Sequence, residues 1–273
     1  MWGIVPAAGR GSRIQPLAFS KELLPVGSRS EGGGERPCAV SEYLLERLVL
    51  GGVDRICFVI APGKSDIMEY FGASYRSRPI AYVLQPRPSG LCDAVFRAQA
   101  VVGRDEAVAV GLPDTIWFPE TALAQLPDDV LSFLLFPVEH PEFFDAVVLD
   151  SVGRVREIQV KQADPKSQWI WGAFKMSGAV FGELRDLWLA RDGRDEYFGT
   201  LVNAHLAAGG QAVGVKAGHA YVDVGTLHGY RAAMGLLADI HANESSSSAA
   251  QAGPQPLPIT NPRTPAHIAK EAR

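Results

Sequence analysis

The sequence predicts an α/β fold in which helices cover both faces of a mixed, mainly parallel central sheet. Short apolar runs typical of buried strands alternate with longer amphipathic segments typical of helices. The chain has 273 residues, of which 47% are hydrophobic, so it can bury the core of one large α/β domain or of two small ones.

Strand and helix signals alternate regularly in the first part of the chain. Apolar and β-branched runs favour buried strands, and Gly51-Gly52 provides a stop for the first helix. The predicted strands are Trp2–Pro6, Arg55–Ala61, Ile80–Gln85 and Ala107–Leu112, and the predicted helices are Val40–Gly51, Ser65–Phe71 and Leu91–Val102. Between the first strand and the first helix, residues 27–36 (GSRSEGGGER) are predicted to form a flexible loop.

After Asp114 the sequence becomes richer in strand signals. The predicted strands are Val130–Pro137, Ala146–Asp150, Val155–Val160 and Ile170–Met176, followed after two helices by a last pair at Gln211–Lys216 and Ala220–Val224. The two helices are predicted near Gly178–Ala190 and Phe198–Ala208, and a closing helix at about Leu227–Ala242. Residues 244–273 are rich in Ser, Ala and Pro, and this composition predicts a disordered tail.

Charge and cysteine usage exclude several classes of protein. The net charge is −4 without a long basic run, which argues against a nucleic-acid partner. The three cysteines are widely spaced and fit a reducing compartment. No apolar run reaches the ~20 residues of a membrane span, and the apolar start is shorter than that of a secretory signal. We therefore expect a cytoplasmic protein without a membrane partner.

Residues 3–26, GIVPAAGRGSRIQPLAFSKELLPV, are the most informative segment. A strand that opens into a glycine-rich turn leaves backbone N–H groups free and lets a ligand approach closely. Arg13 and Lys21 place two cations beside that turn. Free amides together with two cations suit a polyphosphate.

Two familiar phosphate-loop patterns do not fit the chain. The G-x-G-x-x-G pattern fails because Ile14 stands at its third glycine, and Gly63-Lys64-Ser65 lacks the first glycine of a P-loop, where Phe58 stands. The remaining pattern, G-x-G-[ST]-R-x-x-P followed by S-K-x-L-L-P-V, resembles the signature of the sugar-1-phosphate nucleotidyltransferases. This family includes glucose-1-phosphate thymidylyltransferases and uridylyltransferases.

The resemblance implies a Rossmann-like three-layer α/β/α nucleotidyltransferase fold over residues 1–243. It implies a nucleotide-binding part at about residues 1–115 and a sugar-phosphate-binding part at about residues 116–243. The implied reaction joins a pyrimidine nucleoside triphosphate to a sugar 1-phosphate and releases pyrophosphate, with Mg²⁺ as cofactor. A homo-oligomer is compatible with the sequence.

The resemblance also assigns roles to the charged residues. Asp114, in the segment VGLPD, resembles the aspartate of the family's metal motif, and Asp223, in YVDVGT, resembles a second aspartate that joins the same metal. By position alone, either aspartate also suits a turn or a helix cap. Arg13 and Lys21, with Asp114, are the expected catalytic residues, and the expected nucleotide contacts of the loop are Ala8, Gly9, Gly11 and Ser12.

The segment Gln85-Pro-Arg-Pro-Ser-Gly90-Leu resembles the thymidylyltransferase sequence Q-P-x-P-x-G-L, in which the Gln and the Gly read the pyrimidine. An amide can donate and accept, which suits the imide edge of thymine or uracil. The segments APGK and LPD resemble the uridylyltransferases instead. Both dTTP and UTP therefore stay open as the nucleotide.

On the acceptor side, Lys161 resembles the phosphate-binding lysine of the family's E-K-P segment, and Arg194 resembles the arginine of R-G-E. Asp145 and Trp171 replace small residues of the glucose-specific sugar pocket, and Val160 replaces its glutamate. These changes predict that glucose 1-phosphate is a poor substrate. They also keep a rival open, a nucleotide- or nucleotide-sugar-binding regulatory protein of the same fold without turnover.

Overall fold

The computed structural model describes the backbone of residues 1–251 and the side chains of residues 1–240. Strand β1 (Trp2–Pro6) lies inside a ten-stranded sheet, where four of its five residues are buried. The further strands are β2 (Pro25–Glu31), β3 (Gly34–Ala39), β4 (Arg55–Ile60), β5 (Ser74–Tyr75), β6 (Arg78–Leu84), β7 (Val108–Gly111), β8 (Thr115–Phe118), β9 (Leu131–Pro137), β10 (Asp145–Leu149), β11 (Val155–Val160), β12 (Trp169–Met176), β13 (Ala212–Val215) and β14 (Ala220–Asp223). The helices are α1 (Val40–Leu50), α2 (Ser65–Phe71), α3 (Gly90–Arg97), α4 (Gly178–Ala190), α5 (Phe198–Ala207) and α6 (Leu227–Gln251).

The central sheet is mixed, as predicted. Its strand order is β11-β10-β12-β7-β1-β4-β6-β5, and β9 pairs with β12 and with β13. Strands β7, β1, β4 and β6 run parallel, whereas β12 is antiparallel to β7, β9 and β10. The strands from β9 to β12 follow one another without intervening α-helices, and such short connections join antiparallel strands. The sheet is therefore more evenly mixed than the sequence predicted.

Alternate residues of β1 enter two separate cores. Ile4 packs in a cluster with side chains of α3, α4 and α5, and Val5 packs on the opposite face with side chains of α1 and α2. Helices thus cover both faces of the sheet. The three-layer α/β/α fold is confirmed.

Residues 27–36 form most of a β-hairpin, so the prediction of a flexible loop is wrong. Strands β2 and β3 pair in an antiparallel ladder, and Gly32 and Gly33 join them with positive φ angles of 61° and 82°. A two-residue glycine turn with both φ angles positive matches the twist of a hairpin. A Gly-Gly pair between two extended runs was the signal that predicts this structure.

The final elements also differ from the prediction. Strands β13 and β14 do not pair with each other: β13 pairs with β9 and β14 pairs with β8. Helix α6 extends through Gln251, so residues 244–251 of the predicted disordered tail are helical, and the rest of that tail lies outside the described residues.

The chain divides into two compact units, Met1–Gly235 and Leu236–Arg273, and the site described below belongs to the first. The proposed division of the nucleotidyltransferase domain near residue 115 stays a prediction. In the part of the chain that the structure describes, no helix is long and apolar enough to cross a membrane.

Candidate active site

The glycine-rich loop, residues 7–22, follows β1 at the carboxyl end of the parallel strands. Ala8 is buried at the start of this loop, and Gly9 and Ser12 are exposed. Gly11 has a φ of 64°, and a Cβ at this position would lie 2.8 Å from Cδ of Lys21. Glycine at position 11 therefore lets the Lys21 side chain pass beneath the loop.

Two ion pairs connect the loop to the predicted metal ligands. The Lys21 ammonium donates to the Asp114 carboxylate, and Nη2 of Arg13 lies 3.2 Å from Oδ2 of Asp223. The Lys21 side chain is 14% exposed and the Arg13 side chain 63% exposed. The structure therefore brings the four charged residues together, and Lys21 is less exposed to solvent than Arg13.

A small two-stranded ladder brings Asp114 and Asp223 together. Strand β8 pairs with β14, with Thr115 opposite Asp223, and the backbone N–H of Val224 donates to the Asp114 carbonyl at 2.8 Å. The sequence did not predict β8, because its four residues follow β7 directly after the turn at Asp114.

Both carboxylates lie close to Gly225. A Cβ on Gly225 would lie 2.8 Å from Oδ1 of Asp223 and 3.3 Å from Oδ2 of Asp114. Burial and then the charge of Asp114 raise the pKa of Asp223. Burial also opposes ionisation of Asp114, but Lys21 outweighs it and lowers the pKa of that carboxyl. The two carboxylates are therefore the candidate ligands for a shared cation.

A cavity of about 190 Å³ opens beside this group and is bounded by acceptor-side residues. Three of the four predicted sugar-phosphate residues line it, namely Asp145, Lys161 and Trp171. Its other lining residues are Arg13, Leu91, Leu112, Asp114, Thr115, Phe143, Phe144, Tyr197, Tyr221 and Asp223. The cavity therefore places the predicted phosphate, metal and acceptor residues in one space.

Lys161 and Asp145 face each other across the end of a hairpin. Asp145 pairs with Val160, and the Lys161 N–H donates to the Phe144 carbonyl at 3.1 Å. The Lys161 ammonium lies 4.8 Å from the centre of the Tyr197 ring. This cation–π contact holds the ammonium within the cavity lining.

The Asp145 carboxyl is held in a poorly hydrated position. Burial raises its pKa to about 6, although the charge of Lys161 favours its ionised form. Within the described residues the indole N–H of Trp171, though buried, makes no geometrically acceptable hydrogen bond. A ligand oxygen in the cavity would satisfy it. Val160, in contrast, packs with the core and lies outside the cavity lining.

The pKa of Asp145 makes a stability prediction. A carboxyl with a pKa of about 6 in the folded chain and ~3.9 in the unfolded chain binds its proton more tightly when folded, so its ionisation destabilises the fold as pH rises through this window. We expect the unfolding free energy of Asp145→Asn, measured relative to that of wild type, to be about 1 kcal/mol higher at pH 8 than at pH 5. Urea unfolding at both pH values measures this difference. The exposed Asp186→Asn is the control, and an equal Asp145→Asn effect at both pH values contradicts the prediction.

Gln85 follows β6 and is 3% exposed. Its amide nitrogen donates to the Gly90 carbonyl at 3.1 Å and to Oδ2 of Asp93 at 2.8 Å. Both partners can only accept hydrogen bonds, which fixes the orientation of the amide. Among the described residues no donor bonds to the Gln85 carbonyl oxygen, so this oxygen, and not the NH₂ group, is left for a ligand. Asp93 was missed in the sequence because one aspartate inside a helix gives no local signal.

Position 90 can hold only a glycine without strain or a clash. Its φ is 85°, and a Cβ would lie 2.6 Å from Cα of Glu196. The Leu91 N–H donates to the Glu196 carbonyl at 2.8 Å, so the Gln85–Leu91 segment lies against the loop that precedes α5.

Arg194 does not join the site. Its side chain is 78% exposed, pairs with Asp192 at 2.9 Å, and lies outside the cavity lining. The same loop reaches the cavity through Tyr197, three residues later, because the turn at Gly193 directs Arg194 back towards the carbonyl of Arg191. The structure therefore does not bring Arg194 into the cavity lining, and its role at the acceptor phosphate stays a prediction.

The mixed three-layer fold has a glycine-rich loop and two cations after β1, and two aspartates beside that loop, an arrangement typical of nucleotide-binding α/β proteins. A family model described as nucleotidyl transferase matches residues 2–239. The chain belongs to this family, and it is a nucleotidyltransferase related to the sugar-1-phosphate nucleotidyltransferases.

Curated relatives carry both activities named above. The chain is 27% identical over 246 residues to a glucose-1-phosphate thymidylyltransferase of Neisseria meningitidis and 29% identical over 240 residues to one of Mycolicibacterium smegmatis, in each case over 83% of this chain and 78% of the relative. It is 33% identical over 147 residues to a putative UTP–glucose-1-phosphate uridylyltransferase of Bacillus subtilis, over 45% of this chain and 50% of the relative.

Solved structures share the fold. A putative glucose-1-phosphate thymidylyltransferase from Bacillus anthracis, crystallised with a sucrose, superposes with a TM-score of 0.72 at 22% identity, over 86% of this chain and 94% of that one. A UTP-bound UGPase from Acinetobacter baumannii superposes with a TM-score of 0.69 at 21% identity, over 85% of this chain and 91% of that one.

Proposed function

We propose that this enzyme transfers a nucleotidyl group from dTTP or UTP to a sugar 1-phosphate, giving a nucleotide sugar and pyrophosphate. The observation that carries the proposal is the shared cavity, in which Asp114 and Asp223 lie beside both Arg13 and the acceptor-side Lys161. The names of the curated relatives support the same reaction class.

The amide of Gln85 supports an imide base. Because its NH₂ group is engaged by Gly90 and Asp93, its carbonyl oxygen is the group that can read the base. Thymine and uracil carry an N–H donor at N3, whereas cytosine carries an acceptor there. The proposal therefore favours dTTP and UTP over CTP.

The carboxylates fit a magnesium ion. Mg²⁺ is commonly held by one or two carboxylates together with substrate phosphates and water. Asp114 and Asp223 supply such a pair, and the described residues contain no group of three or more His, Cys, Asp or Glu arranged for a metal. When bound, the ion would neutralise charge on the α-phosphate.

The protein's own residues bind the two substrates and stabilise the charge that develops during transfer. The acceptor phosphate oxygen bonds to the α-phosphorus while the bond from that phosphorus to pyrophosphate breaks, so no proton acceptor or covalent enzyme intermediate is needed. Lys161 holds the acceptor phosphate in the cavity. Arg13 and Lys21 stabilise the charge that develops on the triphosphate, and the loop amides near Ala8, Gly9, Gly11 and Ser12 bind its phosphates.

A substrate matrix tests the proposal. Sugar 1-phosphates, including amino and deoxy sugars, are combined with dTTP, UTP, CTP, ATP and GTP at saturating Mg²⁺, and pyrophosphate release is measured. We expect turnover with dTTP or UTP. The preferred acceptor should be the 1-phosphate of a sugar other than glucose, because Asp145 and Trp171 line the acceptor cavity. A protein that binds nucleotides but neither releases pyrophosphate nor regenerates a triphosphate from any nucleotide sugar contradicts the proposal and supports the regulatory rival.

Asp93→Ala tests how the base is read. Without the carboxylate, the Gln85 amide can rotate and offer its NH₂ group to cytosine. We expect the ratio of kcat/KM for the preferred nucleotide to that for CTP to fall about tenfold, or about 1.4 kcal/mol. Asp93→Asn keeps an acceptor for Gln85 and is expected to keep most of the ratio. An unchanged ratio in Asp93→Ala contradicts this account of the base site.

A further inference from the structure

Lys64, just before α2, is anchored to the front end of the glycine-rich loop. Its ammonium donates to the Ala7 carbonyl at 2.7 Å, and the Ala7 N–H donates to the Val59 carbonyl at 2.8 Å. The Lys64 side chain is 13% exposed. The first residue of the loop is therefore held from two sides.

The same short segment also holds the rear end of the loop. The Lys64 ammonium donates to both carboxylate oxygens of Glu22 at 2.8 Å. The backbone N–H and the hydroxyl of Ser20 donate to Asp66 at 2.6 Å and 2.7 Å. Ser20 and Glu22 are the neighbours of Lys21, so residues 64 and 66 fix the backbone on both sides of the lysine that pairs with Asp114.

The buried carboxylate of Glu22 makes the position of Lys21 depend on Lys64. The Glu22 side chain is fully buried, and a buried carboxylate that loses its cation becomes strongly destabilising. Burial raises the pKa of Glu22, and the charges of Lys64 and then Lys21 oppose this shift and favour the ionised form. Without Lys64, Glu22 competes with Asp114 for the ammonium of Lys21.

We propose that Lys64 and Asp66 are positioning residues that clamp both ends of the glycine-rich loop and keep Lys21 on Asp114. This inference rests on the proposed function for the role of Lys21 in the reaction. Lys64 stands in the partial P-loop pattern that the sequence excluded, and its ammonium is engaged by Ala7 and Glu22. Lys64 thus acts through Lys21 and the loop.

Lys64→Met tests the clamp. We expect kcat to fall about thirtyfold or more per folded molecule, since small misplacement of a catalytic group has effects of this order, while KM for the acceptor stays within about threefold. Lys64→Arg should recover kcat to within about fivefold of wild type. The double variant Lys64→Met/Glu22→Gln should have a kcat about fivefold or more above that of Lys64→Met alone, because the neutral glutamine no longer competes for Lys21.

Arg36→Met is the matched control. This substitution removes two hydrogen bonds that the Arg36 guanidinium donates to Glu42, whose side chain is 1% exposed. Among the described residues, neither Arg36 nor Glu42 hydrogen-bonds to residues 7–22. We expect a lower unfolding free energy with kcat within about twofold of wild type. Hydrogen–deuterium exchange of residues 7–22 is expected to rise in Lys64→Met but not in Arg36→Met.

Two results overturn the clamp: a kcat of Lys64→Met within threefold of an active wild type, or no recovery in the double variant. An inactive wild type across the whole substrate matrix contradicts the proposed function instead. Exchange of residues 7–22 then decides on the clamp alone, and an unchanged rate in Lys64→Met overturns it.

Discussion

Asp114→Asn is expected to lower kcat/KM about a thousandfold or more while the protein stays folded. Asparagine matches aspartate in size but removes the charge that, with Asp223, would hold the metal, a loss of several kcal/mol of transition-state stabilisation. Pyrophosphate release at saturating Mg²⁺ measures the effect, and circular dichroism checks the fold.

Asp150→Asn is the matched control for that experiment. Asp150 is also an aspartate in an ion pair, 2.7 Å from Arg156, with its side chain 16% exposed, but it lies outside the cavity lining. Its replacement should leave kcat/KM within about threefold of wild type. Activity of Asp114→Asn within tenfold of wild type would remove Asp114 from the catalytic centre.

Lys21→Met is expected to lower kcat and kcat/KM together, by about a hundredfold or more. The ammonium is mostly buried and pairs with Asp114, so little water screens its charge. Burial alone would lower the pKa of Lys21, but Asp114, Glu22 and Asp223 outweigh this and raise it, which keeps the side chain charged at neutral pH. Steady-state kinetics with the triphosphate varied measures both constants.

Arg13→Met is the comparison for Lys21→Met. The Arg13 side chain is mostly exposed, so solvent screens it more strongly, and we expect a smaller loss of kcat than for Lys21→Met. A rise in KM alone for Lys21→Met, with kcat unchanged, would assign Lys21 to ground-state binding. A larger loss in Arg13→Met than in Lys21→Met would reverse the ranking drawn from burial.

The sequence predicted those parts of the site that a continuous segment encodes. Gly11, Arg13 and Lys21 lie in one loop after one strand, and Asp114 ends another strand, so local patterns are enough to identify them. The fold class follows for the same reason, because apolar runs and helical periods are local. Asp145, Lys161 and Trp171 were found through the family resemblance, and the structure places them in the same cavity.

Contacts between distant segments could not be read in this way. Asp93 matters because it bonds to Gln85, and Lys64 matters because it bonds to Ala7 and Glu22, and neither contact leaves a pattern in the neighbouring residues. Arg194 shows the converse, since a local likeness suggested a role at the acceptor phosphate, whereas the structure places its side chain beside Asp192 and outside the cavity lining. The sheet contains more antiparallel pairs than predicted, because pairing direction depends on the connections between strands and not on strand composition.

The pairing of β8 with β14 has a consequence for how activity is acquired during folding. The glycine-rich loop and its clamp join residues from the first part of the chain, whereas Asp114 meets Asp223 only after residues 220–223 have docked on residues 115–118. Closing such a long loop carries an entropic cost, and contacts of this separation are slow to form. With the proposed roles of Asp114 and Asp223, we therefore expect catalysis to report on completion of the first unit, because a chain in which β14 has not docked on β8 lacks the paired carboxylates.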